Sequence, residues 1–66
     1  MEVYINGEAE NINGISTVAE LVEKFAFNLR KVAVEINLAI VPRSLYAETR
    51  LNAGDRIEIV QFIGGG

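Results

Sequence analysis

The sequence predicts an α+β fold in which a single helix packs on one face of a small sheet. Apolar and polar residues alternate near both ends of the chain, which is the period of half-buried strands. One segment in the first half has helical apolar spacing instead. Because one helix covers only one face of a sheet, the predicted order of strand, strand, helix, strand, short strand and strand gives an α+β roll.

The first two strands are predicted to form a hairpin. Val3 and Ile5 share one face of the first strand. Asn6 and Gly7 follow, and both tolerate the positive φ angles of a two-residue type I′ turn. Residues 8–12 are then the returning strand, and their high charge is typical of a sheet edge.

The helix is predicted to begin at a capping box. Thr17 and Glu20 have the required spacing. Four residues at positions i, i+3, i+4 and i+7 form its apolar face: Val18, Leu21, Val22 and Phe25. We expect a helix of about 10 residues that ends near Phe27 and Asn28.

The second half of the chain contains three further strand segments. Residues 32–36 alternate, and residues 38–41 form a short apolar strand that stops at Pro42, which cannot donate to a sheet. A turn or short 3₁₀ segment follows, then a turn at residues 52–55 and a last strand that reaches Phe62. The inward positions predict this core: Val3, Ile5, Val18, Leu21, Val22, Phe25, Val34, Ile36, Ile57 and Ile59.

The composition argues against a self-contained enzyme. The 66 residues include no cysteine and no histidine, so disulfides, thiolate metal sites and the commonest general base are excluded. The serines, threonines and lysines have no histidine to activate them. We therefore expect a non-enzyme that binds no cofactor or metal of its own.

Charge and hydropathy limit the possible partners. The net charge is −3, without a basic stripe, so we expect no nucleic-acid partner. No apolar run approaches the roughly 18 residues of a membrane span, and the N-terminus does not have the pattern of a signal peptide. We expect a cytoplasmic location, and either a protein partner with a basic face or a charge that merely keeps the domain soluble.

The last strand runs into three glycines, Gly64, Gly65 and Gly66. We expect a single domain at residues 1–63 and a flexible glycine tail at residues 64–66. One interpretation is a frayed terminus. The other is a tail without side chains that threads a narrow channel in a partner, where the ionised carboxylate of Gly66 attacks the α-phosphate of ATP.

Strand parity also predicts a docking face. If Ile57 and Ile59 face the helix, then Val60 and Phe62 face away from it, and Tyr4 shares their side of the sheet. We expect Tyr4, Val60 and Phe62 to form one patch that leads through Ile63 to the tail. The alternative is ordinary scattered surface hydrophobics.

Three stretches resemble one known family. They are "NGE" at residues 6–8, "VPR" at residues 41–43 and "AGDRIEIVQFIGGG" at residues 53–66. On these residues the chain resembles the ubiquitin-like sulfur carriers of the ThiS/MoaD family, and most closely the ThiS family of thiamine biosynthesis. Residues 37–39 depart from the family pattern, and we interpret them as loop variation.

The resemblance implies a β-grasp (ubiquitin-like) fold, with a mixed sheet of four to five strands packed on one main helix and the first and last strands parallel at its centre. It implies that a ThiF-like adenylyltransferase, using ATP and magnesium, adenylates the carboxylate of Gly66. Sulfur from a cysteine desulfurase then gives a thiocarboxylate, which a ThiG-like thiazole synthase consumes. The free chain is expected to be a monomer, with these partner-binding residues: Tyr4, Val60, Phe62, Ile63, Gly64 and Gly65.

The glycine tail and the predicted fold are also compatible with other functions. A MoaD-like small subunit of molybdopterin synthase shares the tail and the fold. A ubiquitin-like binding module would not use the tail chemically, whereas a ubiquitin-like modifier would join its tail to lysines.

Overall fold

The computed structural model describes residues 1–25 and 27–62 of the chain. In these residues the elements follow the predicted order; the segment after Pro42 is a short 3₁₀ helix, one of the two forms expected there, and a second 3₁₀ segment before the third strand was not predicted. The elements are β1 (Glu2–Ile5), β2 (Glu8–Asn11), α1 (Val18–Lys24), η1 (Leu29–Lys31), β3 (Val32–Ile36), β4 (Ala39–Val41), η2 (Arg43–Leu45) and β5 (Arg56–Gln61).

The five strands form one mixed sheet in the order β2-β1-β5-β3-β4. β1 and β5 are parallel, with Tyr4 opposite Arg56, and the other pairs are antiparallel. The prediction that the first and last strands lie side by side in parallel is confirmed. β5 is therefore the central strand, and the chain leaves the sheet from its middle.

The first hairpin is confirmed in its turn and in its position. Asn6 and Gly7 have φ angles of 51° and 86°, both positive as a type I′ turn requires. β2 lies at the edge of the sheet and ends at Asn11, one residue earlier than predicted. Ile12 then turns into the core, and its N–H donates to the carbonyl of Met1 at 2.8 Å.

The capping box is confirmed, but the predicted helix end is wrong. Thr17 caps α1, and the helix ends at Lys24 rather than near Phe27. Phe25 is the C-cap, with φ −92° and ψ 13°, and its side chain is 37% exposed. Phe25 was predicted to be buried because the apolar spacing continues to it. The backbone leaves the helix there, so that spacing no longer places the ring on the sheet.

The hydrogen bonds of the capping box predict how the stability of the domain changes at acid pH. The N–H and hydroxyl of Ser16 and the N–H of Thr17 donate to the Glu20 carboxylate, and these bonds lower the pKa of Glu20. A carboxyl whose pKa is lowered by folding contributes stability above its unfolded pKa and loses that contribution as the pH falls through the folded value. Denaturation between about pH 5 and pH 2 should therefore show a shallower loss of stability in Glu20→Gln than in the wild type. The same substitution at exposed Glu23 is the control, and equal slopes in wild type and Glu20→Gln would contradict the role of the cap.

The core lies between α1 and the inner face of the sheet. Eight of the ten predicted core residues are buried, while Ile36 only packs partly against the core and Phe25 is exposed. Five buried hydrophobic residues were not in the predicted set: Ile12, Val32, Val41, Tyr46 and Leu51. Tyr46 and Leu51 come from irregular segments without a period, where parity gives no indication of burial.

Two positive φ angles mark the turn between β3 and β4. Asn37 and Leu38 have φ angles of 52° and 72°. Asn37 is held on both sides, because its side chain donates to Asp55 at 3.1 Å and accepts from the N–H of Arg56 at 3.0 Å. Leu38 is 89% exposed and occupies a conformation that favours glycine, so this turn carries local strain.

Candidate functional site

The candidate site is the point where β5 leaves the sheet toward the glycines. We call Val60, Gln61 and Phe62 the tail root. Residues 63–66 lie outside the described residues, so the predictions for Ile63, Gly64, Gly65 and Gly66 stay predictions. The residues that position the tail are all described.

On one side, β3 holds the tail root. Val60 is paired with Ala33 and Gln61 with Val32. One residue further, the N–H of Phe62 donates to the carbonyl of Lys31 at 2.7 Å. The ladder therefore continues past the end of β5, and it fixes the direction in which the chain enters the tail.

On the other side of β5, β1 ends before it reaches the tail root, and the side chain of Asn6 takes the place of a further β1 residue. β1 ends at Ile5, and the amide group of Asn6 continues the ladder. Asn6 Oδ1 accepts from the N–H of Ile59 at 2.8 Å, and Asn6 Nδ2 donates to the carbonyl of Ile59 at 3.2 Å. The side-chain amide of Asn6 thus bonds to β5 as one further peptide group of β1 would. We call these two hydrogen bonds to Ile59 the Asn6 clamp. The sequence indicated Asn6 only as a turn residue, because a local pattern does not show a partner 53 residues away.

Asn6→Gly should separate the contribution of the Asn6 clamp from that of the turn, since glycine keeps the positive φ but removes the side-chain amide. We expect the free energy of unfolding to fall by about 1–3 kcal/mol, because a part-buried N–H and carbonyl lose their partners. The amide of Ile59 should also exchange with deuterium faster. Asn6→Asp keeps the acceptor and should have a smaller effect. Unchanged exchange at Ile59 in Asn6→Gly would contradict the clamp.

The outer face of the sheet, which points away from α1, carries the predicted docking residues but does not bring them all together. Val60 and Phe62 are 56% and 52% exposed, and Val60 lies beside Ala33. Tyr4 is on the same face, but it lies opposite Arg56, four residues before Val60 on β5. This separation is about 13 Å along the strand. The expectation of one continuous patch is therefore corrected: Val60 and Phe62 belong to the tail root, and Tyr4 lies apart from it.

Tyr4 lies instead in a shallow groove at the other end of β5. The Arg56 guanidinium lies over its ring, 5.2 Å from the centroid. The groove has a volume of about 200 Å³ and extends to Gly7, Leu38 and Glu58. The groove lies at the opposite end of β5 from the tail root and is not part of the candidate site.

Residues 1–25 and 27–62 hold no cluster of three or more acidic, histidine or cysteine side chains that could bind a metal ion. Over the same ranges, none of the helices has the length and apolar character needed to cross a membrane.

The central parallel pair, the single helix and the exit of the chain from the middle strand define a β-grasp domain of the ubiquitin-like class. The same fold occurs in the crystal structure of a thiamine biosynthesis protein, ThiS, from Geobacter metallireducens. That protein is 30% identical, the match covers 100% of both chains, and the TM-score is 0.83.

Sequence comparison then defines the family. The profile of the ThiS family matches residues 3–66. The sulfur carrier protein ThiS of Escherichia coli K12 is 35% identical over 66 residues, which cover 100% of both chains. The chain belongs to the ThiS family.

Some relatives are much longer. A thiazole synthase of Paramagnetospirillum magneticum is 52% identical and one of Magnetococcus marinus is 42% identical, each over the full 66 residues of this chain. The chain spans 20% of the length of each of these two proteins. Sequence similar to this chain thus occurs within longer proteins that are named thiazole synthase.

Proposed function

We propose that the chain is a sulfur carrier for thiamine biosynthesis and that the carboxylate of Gly66 is the group that carries the sulfur. Membership of the ThiS family is the observation that carries this proposal. The fold supports it, since the glycines follow the central strand, which is held in the sheet up to Phe62. The chain contributes a reacting group and a docking surface rather than a catalytic site.

The chemistry takes place in two steps. A carboxylate oxygen of Gly66 attacks the α-phosphorus of ATP, and pyrophosphate leaves. In the second step the terminal sulfur of a protein persulfide, loaded by a cysteine desulfurase, attacks the acyl carbon and AMP leaves, which gives an acyl disulfide. A second protein thiol then attacks the inner sulfur, so that a protein disulfide forms and Gly66 is released as a thiocarboxylate. ATP and magnesium bind to a ThiF-like adenylyltransferase, and the carrier itself holds no cofactor.

Thiazole synthase is the proposed acceptor of the sulfur. The relatives that combine both sequences support this choice, because joining two proteins in one chain raises their effective concentration. A MoaD-like role would place the chain beside a molybdopterin synthase large subunit, and no relative named above is of that kind. We propose that the free carrier is a cytoplasmic monomer that binds these enzymes in turn.

Isotope exchange between pyrophosphate and ATP tests the proposal. With the ThiF-like enzyme of the same organism, the wild-type chain should stimulate exchange, because adenylation of Gly66 is reversible. A variant without Gly65 and Gly66 should not. Exchange that does not depend on the chain, or that persists without the two glycines, would overturn the proposed function.

Phe62→Ala should raise the Michaelis constant of the chain in this assay before it affects folding. The ring of Phe62 is 52% exposed within the tail root. Truncation of an aromatic anchor in an interface costs about 2 kcal/mol or more of binding free energy. Ile40→Ala is the matched control, because Ile40 is 77% exposed on β4, at the edge of the sheet. Equal Michaelis constants for wild type and Phe62→Ala, with both proteins folded, would show that Phe62 does not contribute to binding of the enzyme.

A further inference from the structure

Three of the six lysine and arginine residues lie beside the tail root: Arg30, Lys31 and Arg43. One backbone hydrogen bond joins Lys31 to the tail root, and the other two residues are connected to it through Lys31 and its neighbour Arg30. Phe62 donates its N–H to the carbonyl of Lys31, and Arg43 Nη2 donates to the carbonyl of Arg30 at 3.1 Å. All three cationic residues are exposed.

Folding alone does not account for three cations at this place. The η1 segment is held by Asn28, whose side chain accepts from the N–H of Arg30 at 2.9 Å, and this bond needs no positive charge. The bond of Arg43 ends on a carbonyl rather than a carboxylate, so it leaves the charge of the guanidinium uncancelled. Grouping like charges costs free energy through repulsion. The chain as a whole is acidic, with net charge −3, so this end differs in sign from the average surface.

The length of the tail determines which part of a partner enzyme these cations can contact. Four residues follow Phe62, and an extended chain spans at most about 3.3–3.6 Å per residue. When Gly66 reaches a reacting centre through a narrow channel, Phe62 and its neighbours are about 13 Å away. This distance places the cations nearer to the mouth of the channel than to the phosphates of ATP at the reacting carboxylate.

We propose that Arg30, Lys31 and Arg43 form a cationic collar that binds acidic side chains around the mouth of the tail channel in the partner enzymes. The proposal rests on the proposed function, since it assumes that the tail enters an active site. Opposite charges around the entrance speed association and orient the tail end toward the partner. The acidic remainder of the carrier is repelled from the same surface, so docking at the wrong end is disfavoured.

Charge reversal tests the collar. Lys31→Glu changes the side chain and keeps the backbone carbonyl that accepts from Phe62. Arg50→Glu is the matched control, because Arg50 is exposed, pairs with Thr17 near the start of α1 and undergoes the same change in charge. Association rates with the ThiF-like enzyme and with thiazole synthase are measured by stopped flow at about 50 mM and about 300 mM salt.

Lys31→Glu should slow association about tenfold or more at low salt, and Arg50→Glu by less than about twofold. The difference should shrink at high salt, because the collar acts through exposed charges. Arg30→Glu should behave as Lys31→Glu does. Circular dichroism of each variant confirms that it is folded before rates are compared.

Three outcomes would overturn the inference, and one of them also affects the function. If wild type is adenylated and Lys31→Glu and Arg50→Glu slow association equally, the collar is wrong and the carrier role stands. If Lys31→Glu raises only the Michaelis constant for ATP, the cations bind phosphate rather than an acidic protein surface. If the wild-type chain neither binds nor is adenylated, the proposed function itself fails.

Discussion

Leu21→Ala should lower the free energy of unfolding by about 2–5 kcal/mol. Leu21 is fully buried on α1, and it is among the largest side chains in the core. Truncation removes its transfer free energy and leaves a cavity, since the seven-residue helix is capped at Thr17 and cannot shift freely to fill it. A domain of this size is stable by only about 5 kcal/mol, so the variant should retain about 0–3 kcal/mol and be substantially unfolded only at the upper end of the expected loss.

Chemical denaturation measures this effect, and the matched control is Leu38→Ala. Leu38 undergoes the same change in side chain but is 89% exposed, so its substitution should change stability by about 0.5 kcal/mol or less. Equal unfolding curves for Leu21→Ala and wild type would contradict the assignment of the apolar face of α1.

Gly65→Val should abolish adenylation of the chain while leaving its melting temperature unchanged. Gly65 lies outside the predicted domain at residues 1–63, so we expect the folded domain to be unaffected. A branched side chain at this position is expected to be excluded from a channel that admits glycine. The result is read as loss of pyrophosphate exchange in the presence of the ThiF-like enzyme.

Gly65→Ala separates channel width from backbone flexibility. A single methyl group should reduce exchange less than valine does, if the width of the channel is what selects glycine. Normal exchange by Gly65→Val would contradict threading, and it would favour the interpretation of the glycines as an unstructured end.

The regular part of the fold was predictable because it depends on local patterns. Alternation placed Val34 and Ile57 in the core, and the pair Asn6-Gly7 placed the first turn. The end of α1 was not predictable from spacing, since Phe25 continues the apolar pattern although the backbone has left the helix. Tyr46 is buried from an irregular segment, where only tertiary packing decides which side chain turns inward.

The candidate site was predictable in its direction but not in its surroundings. Three terminal glycines and the parity of β5 indicate a tail and an apolar tail root from the sequence alone. The contact of Asn6 with Ile59 follows from the register of β1 and β5, and that of Arg43 with Arg30 from a tertiary contact between η2 and η1, which are distant in sequence. The separation of Tyr4 from Val60 has the same origin, because parity gives the face of a strand but not the level at which two strands pair.

The most direct test of the carrier role is the mass of the C-terminal peptide of the chain, purified from its native host grown without thiamine. Starvation should raise the demand for thiazole and load the carrier. We predict that a fraction of the peptide ends at Gly66 with one oxygen replaced by sulfur, and that this fraction disappears when the ThiF-like enzyme is deleted. A peptide that continues past Gly66, one that is joined to lysine, or one that is always an unmodified carboxylate under these conditions would contradict the account.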